Sequence, residues 1–243
     1  ESRRLPGSGA GPSPDRMILG SEGILGVITE AWMRLQNRPI FRSSCSVEFD
    51  DYQKALNATR LISQSGLYPA KCSLLDAKEA LFNGVGDGSK HLLILSFESA
   101  DHELGTWLDR ALEIASSAGG SYEKPQEKEP EAHRTGASGT WRNSFIRAPS
   151  NRDAAVRRGI IWDTFETSIT WDHGFEFIES LKEKTRKAIH EISGREPNVT
   201  CRLTHTYPDG CAPYFSYTAY ATPSTMLDVW KQIKIATNEM VVA

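Results

Sequence analysis

The stretch "SSCSVEFDDYQKALNATRLISQSGLYPAKCSLLD", residues 43–76, decides the fold. "SSCSVEFDD" reads as a strand, "YQKALNATRLISQSG" as a helix stopped by Gly66, and "YPAKCSLLD" as a second strand. A short helical "AKEALFN" follows, then a third strand, "HLLILSFES". A helix from Asp101 to Ala118 buries Leu104, Trp107, Leu108, Ala111 and Ala115. The order is β-α-β-β-α. "YEKPQEKEPEAHRTGASG" interrupts it with charge, Pro and Gly, which predicts a mobile surface loop around residues 119–140. The order then returns: strand "GIIWDTFETSIT", helix "GFEFIESLKEKTRKAIHEIS", strands "NVTCRLTHTY" and "PYFSYTAYAT" around the turn "PDGCA", and a last helix carrying Met226, Val229, Trp230, Ile233 and Met240. Two such units predict an α+β fold, an antiparallel sheet with helices packed on one face. No residue-level repeat links the halves.

At 243 residues the chain can bury a substantial core, and 39% hydrophobic with 24% charged residues describes an ordinary globular protein. A net charge of −3 speaks against a general nucleic-acid binder, which needs a basic surface. No apolar run is long enough to span a bilayer, and no secretory segment opens the chain. Cys45, Cys72, Cys201 and Cys211 form no CxxC pair and read as reduced thiols, so the expected location is intracellular and cytoplasmic, not secreted. The opening "ESRRLPGSG" lacks an initiator Met and the chain stops at "NEMVVA", which predicts a piece of a longer polypeptide.

Upstream, "MILGSEGILGVITEAWMRL" (residues 17–35) places Gly20, Gly23 and Gly26 at spacing three before a β-branched run. Alternation of Val27, Thr29, Ala31, Met33 and Leu35 predicts a strand from Gly26 to Asn37. The glycines permit either a tight turn or a backbone that approaches a flat or phosphate-bearing ligand. "GSGAG" at residues 7–11 and "GVGDG" at residues 84–88 read as ordinary turns, with no Walker lysine after either.

Metal chemistry has little support, because the six histidines show no HxH or HExxH spacing. No GxSxG elbow occurs. In the strand pair "CRLTHTY" and "PYFSYTAY", Arg202, His205, Tyr207 and Tyr214 lie near a turn. They fit either a half-exposed hairpin with amphipathic tyrosines or the wall of a cleft. A tyrosine acting as acid or base must overcome a free pKa of about 10, and a neighbouring arginine favours the phenolate. Arg202 and Arg152 are the candidates.

"MILGSEGILGVITEA" closely resembles the segment that closes the flavin-binding domain of FAD-linked oxidases of the vanillyl-alcohol oxidase type. "TFETSITWD" and "TCRLTHTYPDGCAPYFSY", in that order and spacing, resemble the alkyldihydroxyacetonephosphate synthase-like branch of that family. The resemblance implies that residues 1–40 end an FAD-binding domain and residues 41–243 form a ferredoxin-like cap. It implies FAD as cofactor, contacted by Gly20, Ser21, Glu22, Gly23, Ile24, Leu25, Gly26, Val27 and Ile28. Tyr214 would be the catalytic acid/base and Arg152 the anchor of a substrate phosphate, with Arg202 and His205 as further substrate-binding candidates. The implied reaction exchanges the acyl group of acyl-dihydroxyacetone phosphate for a fatty alcohol, with flavin acting without net redox change. The alternative is an FAD-linked dehydrogenase or oxidase of a small 2-hydroxy acid, and a non-enzymatic folded module is a third reading. The expected partners are thus a lipid-like phosphate ester and a fatty alcohol, or a hydroxy acid. Peripheral membrane contact, a homodimer, and a peroxisomal location for a eukaryotic source stay open. The family's Gly-rich pyrophosphate loop and the histidine cluster that follows "NEMVVA" are outside the sequence, so the chain is expected to be inactive alone.

Overall fold

The structure, a computed structural model, describes residues 11–123 and 136–242. It divides into two compact units, Glu1–Arg38 and Pro39–Ala243. In the first, a short helix α1 (Pro14–Ile18) leads into turns at Gly20 (φ 81°), Glu22 (φ 49°) and Gly23 (φ 87°). Left-handed backbone explains glycine at two of these positions. The expected strand from Gly26 to Asn37 does not form: residues 27–40 have no regular secondary structure. A strand exists only through a ladder partner, and none of the described residues pairs with this one. Its apolar side chains, Val27 at 88% and Leu35 at 90% exposure, are open to solvent.

The second unit holds one sheet and most of the helices. Its first half runs β1 (Phe41–Phe49), α2 (Tyr52–Gln64), β2 (Lys71–Leu75), α3 (Ala77–Phe82), β3 (His91–Ser99) and α4 (Gly105–Ser117). After α5 (Gly136–Val156), the second half runs β4 (Ile160–Glu166), β5 (Ile169–Thr170), α6 (Gly174–Ser193), β6 (Asn198–Thr206), β7 (Gly210–Tyr220) and α7 (Met226–Val242). The strand order is β1-β3-β2-β6-β7-β4, with β5 beside β7. In each half the third long strand, β3 or β7, sits between the other two and runs antiparallel to both. This is the duplicated architecture expected of two β-α-β-β-α units. The halves meet where β2 pairs with β6, at Leu74↔Leu203 and Leu75↔Arg202.

Alternation decides which way each strand faces. Val47, Phe49, Leu74, Leu93, Leu95, Leu203, Phe215 and Tyr217 point to one side, where Leu56 and Ile62 of α2, Leu108 and Leu112 of α4, Ile178 and Ile189 of α6 and Ile233 of α7 cover them. That is the predicted helical layer. The opposite face carries a smaller cluster, Leu75, Leu92, Ile94, Ala80 of α3 and Trp141 of α5. Helix α5 was absent from the sequence reading, and it revises the end of the expected loop. Residues 136–140 are helical, and Ser121 bridges to Glu48, while residues 124–135 lie outside the described residues.

The buried seam depends on Asp76, which is 2% exposed. One carboxylate oxygen caps α3 by accepting from Glu79 N–H (2.7 Å), and the other accepts from Cys201 N–H (2.8 Å) and pairs with Lys182 (3.1 Å). Asp76 thereby extends the short β2–β6 ladder. Asp76→Ala is expected to cost about 3 kcal/mol, the lower end for breaking a buried pair, because Lys182 keeps Glu179 at 3.2 Å. Urea unfolding of the variant measures this.

All four cysteines are free. Burial pushes the thiols up, to about 11 for Cys45 and about 12 for Cys72 and Cys211. Such thiols stay protonated, which makes them poor nucleophiles. The native state then holds protons that the unfolded chain releases above pH about 9, so stability must fall as pH rises beyond that point. The urea midpoint at pH 10 is expected below that at pH 8; equal midpoints would contradict the burial of these groups.

Candidate active site

The second face of the sheet is polar where β6, β7 and β4 meet, and three of the sequence candidates, Arg202, His205 and Tyr214, lie there. Register pairs Arg202 with Tyr214 and His205 with Ala212, so Arg202, His205 and Tyr214 share a face. Strict alternation would have sent His205 into the core beside Leu203. A bulge between Leu203 and His205 resets the parity, and Pro213 is tolerated opposite it.

Tyr214 is half-buried, and its hydroxyl donates to Thr164 Oγ1 at 2.9 Å. The Arg202 guanidinium lies 4.0 Å from the centre of the Tyr214 ring and 5.3 Å from that of Trp141. Its Nη1 donates to Glu79 Oε1 at 2.6 Å, and Ser216 Oγ lies 3.5 Å away. Glu79 is fully buried, and its other oxygen accepts from the Thr200 hydroxyl. A chain of polar groups thus runs across three strands: Glu79, Arg202, Tyr214, Thr164. The Thr164 carbonyl takes Lys234 Nζ at 2.7 Å, which ties α7 to the same edge.

His205 is exposed on this face, and Arg152 is exposed on α5. Arg202 and His205 lie on β6 and Tyr214 on β7, whereas Arg152 lies on α5. The structure therefore assembles Tyr214 with Arg202, leaves His205 on the same face, and holds Arg152 on a separate element. Glu79, Thr164, Thr200 and Trp141 are the members that sequence reasoning missed. Glu79 lay hidden in a short amphipathic helix, and no local pattern announces a carboxylate aimed across a sheet.

No group of three or more His, Cys, Asp or Glu that could hold a metal occurs among the described residues. Nor is any helix among them long and apolar enough to cross a membrane. In the first unit, an added Cβ at Gly20, Gly23 or Gly26 would meet nothing within 4 Å, so the backbone there is open to an approaching group.

Residues 38–243 match the profile of the family described as FAD linked oxidases, C-terminal domain. The chain belongs to that family. Among its relatives, the alkyldihydroxyacetonephosphate synthase of Caenorhabditis elegans is 21% identical over 99% of this chain and 43% of its own length. A probable mitochondrial D-lactate dehydrogenase of Danio rerio is 30% identical over 50% of this chain and 25% of its own. A solved alkyldihydroxyacetonephosphate synthase superposes with a TM-score of 0.70 at 19% identity, covering 95% of this chain and 45% of that one. The chain thus spans less than half the length of these relatives. Membership places it with the FAD linked oxidases, and the shared fold is the α+β sheet-and-helix domain described above.

Proposed function

We propose that this family member works as the cap of an alkyldihydroxyacetonephosphate synthase-like flavoenzyme, replacing the acyl group of acyl-dihydroxyacetone phosphate with a fatty alcohol. The observation that carries the reading is the polar sheet face, on which a tyrosine hydroxyl is held between a cation on its ring and a hydroxyl at its tip. Similarity to the synthase of Caenorhabditis elegans over nearly the whole chain supports the choice of reaction.

The exchange breaks the bond between the substrate carbon and the acyl oxygen, releasing a fatty acid, and forms a bond from that carbon to the alcohol oxygen. The carbon lies next to a ketone, so its protons are acidic enough for a positioned side chain to remove and return. Tyr214 is that group. Arg152 anchors the phosphate, where a guanidinium can form paired, charge-assisted contacts. His205, exposed on the same face, completes the wall. Residues Gly20–Ile28 would hold FAD, with bare and open backbone at Gly20, Gly23 and Gly26 to receive it. When bound there, FAD would supply the electron sink that the exchange needs.

A second reading, oxidation of a 2-hydroxy acid, has one specific support: the 30% identity to the Danio rerio protein over half the chain. Product analysis separates the two. The flavin-loaded enzyme, given acyl-dihydroxyacetone phosphate and hexadecanol, is expected to form the alkyl ether without net flavin reduction. Anaerobic bleaching of the flavin by a 2-hydroxy acid, with no ether formed, would overturn the first reading and establish the second.

A further inference from the structure

We propose that Glu79 is a positioning residue for Tyr214, acting through Arg202; this rests on the reading of Tyr214 as the acid/base. Glu79 does not touch the tyrosine. It is fully buried, and both carboxylate oxygens are committed, one to Arg202 Nη1 and one to the Thr200 hydroxyl. A carboxylate held this way leaves the guanidinium little freedom. The guanidinium carbon, Cζ, in turn lies 4.0 Å from the Tyr214 ring centre, with Trp141 as a second aromatic neighbour. Thr164 fixes the other end of the phenol at 2.9 Å. A ring constrained at its face and at its tip keeps its hydroxyl in one place, the condition for proton transfer to a bound carbon.

The alternative is that the pair only stabilises the fold. Buried ion pairs are poor stabilisers relative to apolar residues of the same size, because desolvating two charges offsets their attraction. The guanidinium does something an apolar pair cannot, since it sits over the ring while Nη1 donates to the carboxylate. Glu79 itself is fixed at the third residue of α3, whose first turn is capped by Asp76. The two halves of the sheet therefore converge on one phenol. Glu79 and Asp76 come from the first half, and Arg202, Tyr214 and Thr164 from the second.

Glu79→Gln keeps the shape of the side chain and removes its charge. In the flavin-loaded enzyme it is expected to lower kcat about 10- to 100-fold with KM nearly unchanged, the pattern of a misplaced catalytic group. In this chain alone, the Arg202 guanidinium resonances should be shifted by the Tyr214 ring and protected from exchange. Both properties should disappear in Glu79→Gln. A second variant, Glu79→Leu with Arg202→Met, removes both charges together, retains the packing and should show the same loss of kcat. Wild-type kcat in either folded variant, or guanidinium resonances unaffected by Glu79→Gln, would overturn the proposal. Its failure is distinct from failure of the parent reading. If Tyr214→Phe loses turnover while Glu79→Gln does not, only the positioning role falls. If Tyr214→Phe retains full turnover, the assignment of Tyr214 falls and takes this proposal with it.

Discussion

Tyr214→Phe is expected to lower turnover about 10²- to 10⁴-fold, the range for removing a general acid/base, while the variant folds normally. The phenylalanine ring keeps its place under Arg202 and loses only the hydroxyl. Among the described residues that hydroxyl donates to Thr164 Oγ1 at 2.9 Å. Losing it should cost about 1 kcal/mol of stability, because Tyr214 is half-buried and Thr164 can turn to solvent. The proposal thus predicts a wide separation between catalytic and structural effects at one atom. Steady-state kinetics on the flavin-loaded enzyme, with urea unfolding beside them, read the two effects separately. A fall in stability as large as the fall in rate would make Tyr214 a structural residue.

Glu79→Ala is expected to have the largest effect on folding, about 3–5 kcal/mol, because it leaves the Arg202 charge buried without its carboxylate. The partners are 1% and 10% exposed at their side chains, so water cannot replace what is lost. Truncation also takes the nearer of two acceptors from the buried Thr200 hydroxyl, leaving the Ser216 carbonyl at 3.5 Å. The same principle predicts that removing both charges, as Glu79→Leu with Arg202→Met, restores most of the loss. Urea midpoints of the single and paired variants measure both statements. A single variant as stable as the parent would show that the pair is solvated in solution.

Much of the fold was legible in the sequence, because burial on one side of a sheet forces periodicity two, and burial of one helix face forces periodicity near 3.6. Strands β1, β3 and β6 and helices α2 and α6 fall where those rhythms place them. The rhythm misled at residues 26–37, where alternation is present but no strand of the described chain pairs with it. It was silent at α5, whose sequence "GASGTWRNSFIRAPSNRDAAV" mixes Gly, Pro and Ser with arginines and has no apolar stripe. In that helix Trp141 packs on the second sheet face, a tertiary contact that leaves no periodic trace.

The candidate site was legible in part for the same reason. Arg202 and Tyr214 sit in a hairpin whose polar and aromatic content was visible, and their register pairing follows from the short turn that joins β6 to β7. Glu79 lies 123 residues from Arg202, on another element, and only the packed sheet brings them together. The bulge that turns His205 to the same face is likewise a property of pairing, since it inserts one residue that the strand's own alternation does not reveal.

The central claim, that the polar sheet face meets the substrate, is tested most directly by a crystal structure of the flavin-loaded enzyme with dihydroxyacetone phosphate. The account predicts the phosphate on Arg152 and the carbon beside the ketone within reach of the Tyr214 hydroxyl. A ligand bound elsewhere, with Tyr214 still closed against Thr164 and no substrate atom near it, would contradict the account.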